Sequence, residues 1–212
     1  MRQRKIKNLQ EKIDVFSDYI ICEPKEHRGE LNRFFPADQP MYLEIGCGKG
    51  QFITRCARRY PESNFIAVEG HQSVALRALE KAAEDEAENI RFILNYIDDL
   101  GDYFEPGELS GIFLNFSDPW PKDRHAKRRL TCRQKLRGYC RALKEGGFIQ
   151  FKTDNEDLFS FTLEQIEEEG LTIAEMSRDL HRSELAAENI TTEYEDKFAG
   201  EGKNINYVKI RA

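Results

Sequence analysis

The sequence predicts an α/β fold: a Rossmann-like, doubly wound and mostly parallel sheet with an antiparallel C-terminal edge. Two observations lead there. Short apolar runs alternate with amphipathic helical stretches from residue 41 onward, the pattern of a parallel sheet covered by helices on both faces. A glycine-rich turn, Gly46-Cys47-Gly48-Lys49-Gly50, joins the first of those runs to the first of those helices.

In chain order, an amphipathic, charged lead-in helix is expected over residues 6–18, followed by a stretch punctuated by Pro24, Gly29, Pro36 and Pro40. Met41–Ile45 reads as a buried strand, and Gln51–Arg59 as the helix after the glycine turn. Residues 64–69 form a second strand with a helix over 73–86, and residues 90–94 a third strand. Residues 111–116 are the fourth, followed by a basic helix over 130–144. Residues 147–152 are the fifth, followed by an acidic helix over 155–169. Residues 171–177 and 205–210 supply the antiparallel edge pair. One domain is expected over 1–212: a basic N-terminal helix and lead-in at 1–40, and a Rossmann-like core at 41–212. Such sheets bind ligands beyond the carboxyl ends of their strands. That rule puts residues 44–50, Glu69, Asn95, 115–120 and 152–154 along one rim.

Composition narrows the class. Charged residues make up 33% of the chain and no run of about 18 apolar residues occurs, so no membrane span is expected. The basic start, Met1 to Lys7, leads into no apolar segment, so no signal peptide is expected. Five scattered cysteines without a C-x-x-C pair and four isolated histidines point away from zinc and disulfides and toward a reducing cytoplasm. The net charge of −6 conceals segregation. Ten Lys/Arg stand against one acid between Lys122 and Lys144, and five against one in the first twelve residues, whereas residues 154–169 carry seven carboxylates and no Lys or Arg. Local field, not net charge, is what a polyanion meets.

Two cofactor readings compete at the glycine turn. A dinucleotide site favours G-x-G-x-x-G with the pyrophosphate at the helix N-terminus. This turn is G-x-G-x-G and follows Glu44, which sits badly beside a pyrophosphate but can accept a hydrogen bond from the ammonium of a methionine moiety. Glu69, ending the second strand, can accept both hydroxyls of a ribose. The pair Glu44 and Glu69 around this turn resembles the cofactor loop of class I methyltransferases.

The fourth strand closes on Asn115-Phe116-Ser117-Asp118-Pro119-Trp120-Pro121-Lys122, where two prolines fix a rigid loop and hold Asp118 at the strand end. This string, together with His125-x-Lys127-Arg128-Arg129, Phe151-Lys152-Thr153-Asp154-Asn155 and Thr192-Glu193-Tyr194-Glu195-x-Lys197-Phe198, resembles the bacterial tRNA (guanine-N7)-methyltransferase family. The resemblance implies that family's substrate, the variable-loop guanosine conventionally numbered 46. The likeness runs in order from about Glu44 to Phe198, and the basic start Arg2-x-Arg4 fits it.

Carried over, the resemblance implies S-adenosylmethionine held by Glu44 and Glu69 above the Gly46, Gly48 and Gly50 backbone, with Asp118 the catalytic carboxylate at the cofactor. It implies substrate contacts from Lys122, Asp154, Thr192, Glu193, Tyr194 and Glu195. RNA contacts come from Arg124, His125, Ala126, Lys127, Arg128 and Arg129; no metal is implied. The sequence departs from the family in the third-strand turn, where the usual Asp is replaced by Tyr96 in ungapped alignment, and Asn95 or Asp98 is the alternative contact. Three other readings are a small-molecule methyltransferase, a nicotinamide oxidoreductase and a catalytically silent RNA-binding scaffold. The first does not explain the basic segment, and the second would prefer a different glycine spacing and no Glu44. Only an assay excludes the third.

Overall fold

Strands apolar on both faces must be covered on both faces. The computed structural model, which describes residues 6–199 and 202–211, places them at the centre of a seven-stranded sheet. β1 (Met41–Ile45), β2 (Asn64–Val68), β3 (Ile90–Ile93), β4 (Leu109–Asn115), β5 (Leu143–Thr153), β6 (Thr172–Ser177) and β7 (Asn206–Arg211) run in the order β3-β2-β1-β4-β5-β7-β6. Every residue of β2 and β4 is buried. The first five strands are parallel, and β7 pairs antiparallel with both β5 and β6. The order reverses between β1 and β4, so a crevice opens beyond the C-terminal ends of those two strands.

Two apolar clusters flank the sheet. α1 (Leu9–Asp14), α2 (Gln51–Arg59) and α3 (Gln72–Glu84) contribute to one, which contains Ile13, Phe52, Ile53, Leu76 and Leu79. α4 (Arg133–Ala142) and α5 (Glu156–Glu168) contribute to the other, around Leu136, Tyr139, Leu158 and Phe159. α6 (Glu193–Ala199) lies toward the glycine turn, tied to α2 by Gln51 Nε2 donating to Asp196 Oδ2 at 2.7 Å and to α3 by a Lys81–Glu193 ion pair.

Three expected boundaries are redrawn. The lead-in helix is only Leu9–Asp14, because a 3₁₀ turn at Ser17–Tyr19 feeds an extended segment whose Ile21 N–H bonds Phe92 O at 2.9 Å. Tertiary pairing with β3 overrides helix propensity there. The basic segment is a 3₁₀ stretch (Asp123–Arg128) and then α4, starting at Arg133 rather than 130. Its expected last turn is already β5, since Leu143 pairs with Leu109. Arg2 and Arg4 lie outside the described residues.

Candidate active site

The turn after β1 exposes its backbone. Gly46 and Gly48 adopt φ of 81° and 58°, with nothing within 4 Å of where a Cβ would stand. At Gly50 (φ 83°) a Cβ would lie 2.6 Å from Ala78 Cβ, so glycine there lets α2 begin against α3. Glu69 is fixed at the rim of this turn: Gly48 N–H donates to its Oε2 at 3.0 Å and His71 N–H to its Oε1 at 2.8 Å.

Glu44 is 1% exposed. Its Oε1 accepts from Asn115 Nδ2 at 2.8 Å, while its Oε2 has no partner. Burial pushes its carboxyl up to about 8, against the opposing pull of Asn115 and Lys152. Asn115 Oδ1 and Ser117 Oγ are likewise buried without partners, so three of the six such atoms among the described residues cluster at the ends of β1 and β4. Buried polar atoms are nearly always satisfied, and three unpartnered ones at these strand ends leave a place that a ligand's donors would fit. An open glycine backbone with an orphaned carboxylate oxygen fits S-adenosylmethionine, whose ammonium would meet Glu44.

A cleft of about 1060 Å³ opens over this rim, lined on one side by Gly46, Glu69, Asn95, Tyr96 and Asp98 and on the other by Asn115, Asp118, Trp120, Lys127 and Arg128. That volume lies at the upper end of the range of about 300–1,000 Å³ for small-molecule pockets. At the β3 end, Asn95 turns its Oδ1 back to Tyr96 N–H at 2.8 Å. Tyr96, 62% exposed, lays its ring over Gly70, where a Cβ would come within 2.4 Å of it.

Asp118 sits exposed on a tense loop. Phe116 and Trp120, on either side, adopt φ of 51° and 42°. Non-glycine residues held there cost on the order of 1–3 kcal/mol each, and such strain clusters at functional sites. Pro119 and Pro121 add rigidity. Arg129 reaches back over ten residues, donating Nε to Pro119 O and Nη2 to Trp120 O, each at 3.1 Å.

The remaining expected substrate residues fall into two environments. Tyr194 packs between Phe116 and Phe198, at centroid distances of 4.9 and 4.2 Å, and its hydroxyl lies 3.2 Å from Asp154 Oδ2. Thr192 and Glu195 are buried: Thr192 Oγ1 accepts from Glu195 N–H at 3.0 Å. Glu195 is fully enclosed and bonded to Lys152 Nζ at 2.6 Å, to Asn189 and to His181 Nε2 at 3.0 Å. Glu193 is engaged by Lys81. Lys152, expected on the rim, is 0% exposed and points into this network, which joins β5 to α6. Sequence reading missed it, although a lysine inside an apolar strand run implies a buried acid partner.

The basic segment divides. Arg133 and Arg137 of α4 are spent on Glu168 and Glu169, and Lys135 donates to Asp98 O at 3.2 Å. Lys122, Arg124, Lys127 and Arg128 are exposed and have no ion pair among the described residues. Arg128 lies 4.9 Å over the Trp120 ring, and His125 meets the same ring edge-on at 5.7 Å. Ala126 contributes its carbonyl to Arg129 N–H at 3.1 Å.

A family model described as "Putative methyltransferase" matches residues 38–208. The tRNA (guanine-N(7)-)-methyltransferase of Lachnoclostridium phytofermentans is 44% identical over 206 residues, 97% of this chain and 96% of the relative. That of Bacillus subtilis is 44% identical over 189 residues, 89% of this chain and 88% of the relative. Among solved structures, 16S rRNA methyltransferase KamB shares the fold with a TM-score of 0.60 at 12% identity, covering 99% of this chain and 94% of that one.

Proposed function

The chain belongs to the tRNA (guanine-N7)-methyltransferase family of class I S-adenosylmethionine-dependent enzymes, and from that premise we propose that it methylates N7 of a guanine in tRNA, the variable-loop guanosine 46. The observation that carries the reading is Asp118, held on a strained, doubly proline-braced loop in the same cleft as Gly46 and Glu69, with the unpartnered Oε2 of Glu44 buried beside it at the end of β1. The reading makes the chain one catalytic domain working in the cytoplasm.

S-adenosylmethionine, when bound, supplies an electrophilic methyl group. Glu44 would accept from its ammonium and Glu69 from its ribose, over the Gly46, Gly48 and Gly50 backbone. Tyr96 offers an exposed ring face at the end of β3, and Asn95 lies beside it. Guanine N7 carries an in-plane lone pair and no proton, so no strong base is required. Alignment supplies much of the acceleration, up to about 7–11 kcal/mol. The guanine becomes positively charged on methylation, so a carboxylate at Asp118 interacts more strongly with the transition state than with the ground state. Asp154, Tyr194 and Lys122 contact the substrate nucleoside. Thr192, Glu193 and Glu195 hold α6 in place so that Tyr194 faces Phe116. Methyl-labelled cofactor incubated with an unmodified tRNA transcript should label the RNA. Cofactor binding without label in RNA would contradict the substrate assignment.

Phosphate contacts set the affinity for folded RNA and make it salt-dependent. The exposed cations Lys122, Arg124, Lys127 and Arg128, not the ion-paired Arg133 and Arg137 on α4, form the electrostatic footprint. Reversing Lys127 and Arg128 to Glu should weaken tRNA binding and reduce the slope of log affinity against log salt by about one per lost phosphate contact. Reversing Arg133 and Arg137 should leave that slope unchanged. Equal effects from the two pairs would place the RNA elsewhere.

Glu44 gives a proton signature. At pH 6.5 its carboxyl, raised to about 8 by burial, keeps its proton in the free protein. An ammonium beside Oε2 favours the anion, so cofactor binding should expel about one proton at that pH and progressively less above 8. Calorimetry in buffers of different ionisation enthalpy reads this directly, and Glu44→Gln should abolish it. Proton-neutral binding by the unsubstituted protein would show that Glu44 does not meet the ammonium.

A further inference from the structure

Arg129 belongs to the basic string that the family resemblance assigns to RNA, but its side chain is already committed within the protein. Its Nε and Nη2 donate to the carbonyls of Pro119 and Trp120, both at 3.1 Å. Its guanidinium lies 4.3 Å from the centre of the Phe161 ring on α5. The residue is half-buried, whereas Lys127 and Arg128 beside it are exposed. A guanidinium is the one side chain that presents two parallel N–H donors in a planar fork while its face packs on an aromatic ring.

The two carbonyls it grips are those that most need gripping. They flank the turn between Asp118 and Lys122, and Trp120 holds a left-handed φ of 42° that a bulky residue rarely adopts. Prolines at 119 and 121 restrict the chain and remove two amide donors, leaving the carbonyls to be fixed from outside. We propose that Arg129 is a positioning residue for the reaction, a clamp that fastens the Asp118 loop to α5, and not a phosphate contact. It spends its charge on two carbonyl dipoles and a ring face, and leaves Lys127 and Arg128 to meet the RNA.

The clamp rests on the function proposed above only for its kinetic consequence; its structural consequence can be read without any substrate. Trp120 is the only tryptophan in the chain, so fluorescence excited selectively at tryptophan, beyond tyrosine absorption, reports this loop alone. Arg129→Lys retains the charge but loses the fork and the stacking face. In the free protein, Arg129→Lys should raise acrylamide quenching of Trp120 at least about twofold and lower its fluorescence anisotropy. The same substitution should lower kcat at saturating cofactor and tRNA by tenfold or more, with the salt dependence of tRNA affinity unchanged. Arg129→Ala should behave alike; should it fail to fold, Arg129→Lys alone carries the test. Unchanged quenching in Arg129→Lys overturns the clamp. So does full turnover in Arg129→Lys, or a salt slope reduced by about one in Arg129→Ala, which is the behaviour of a phosphate contact. An unsubstituted protein without methyl transfer would count against the proposed function, while the quenching comparison would still decide the clamp.

Discussion

Asp118→Ala should lower kcat by about 10²–10³-fold while changing cofactor affinity by less than about tenfold, the scale of losing one preorganised electrostatic contact to a transition state. The effect follows from position. Asp118 is exposed at the end of β4, within the cleft that also holds Gly46 and Glu69, and its loop is held by strain, proline and Arg129 before any substrate arrives. Positive charge develops on the base only as the methyl group moves, so the interaction grows along the reaction coordinate. Asp118→Asn keeps the shape and a hydrogen-bonding group but removes the charge, and it should lie close to Asp118→Ala in kcat. Single-turnover rates at saturating cofactor make the measurement. An Asn variant near the unsubstituted rate would make Asp118 a hydrogen-bonding residue and not an electrostatic one.

Lys152→Met should destabilise the fold by about 3–5 kcal/mol, because it leaves the enclosed Glu195 carboxylate without its lysine. The pair is 2.6 Å apart with both side chains fully buried. Lys152 also donates to Ile190 O at 2.8 Å, so its loss frees the segment leading into α6. The double substitution Lys152→Met with Glu195→Leu should recover most of the loss, since a buried pair replaced by apolar groups of similar volume is often near neutral. Urea midpoints of the four proteins complete the cycle. A single-variant loss below about 1 kcal/mol would mean that water or His181 already neutralises Glu195. The two predictions separate cleanly, as Asp118→Ala should leave the urea midpoint unmoved.

What was legible in the sequence is what local pattern controls. β1 and α2 fall where the apolar run and the glycine turn predict, because a buried parallel strand and an amphipathic helix each carry their own periodicity. The ends of elements were less legible. The lead-in helix is cut short by pairing with β3, and the basic helix yields two residues to β5, both decided by partners distant in the chain. The cleft brings together Glu69, Asn95 and Asp118, as expected for a sheet that changes winding direction at β1 and β4, while Glu44 is buried one residue before its lining at Ile45. Two features escaped. The Lys152–Glu195 pair joins residues 43 positions apart, and no periodicity encodes a long-range charge partner. Arg129 looks from sequence like any other cation in a run of three, and only its contacts with Pro119, Trp120 and Phe161 distinguish it.

Mapping the product tests methyl transfer to guanine N7 most directly. After reaction of an unmodified tRNA transcript with S-adenosylmethionine, borohydride and aniline cleave the chain wherever guanosine has become N7-methylated. A single cut at variable-loop guanosine 46, lost when that position is changed to adenosine, is the predicted result. Cleavage at another guanosine would keep the chemistry and move the site. Labelled RNA with no aniline-sensitive position would contradict N7 as the acceptor, and with it the electrostatic role of Asp118.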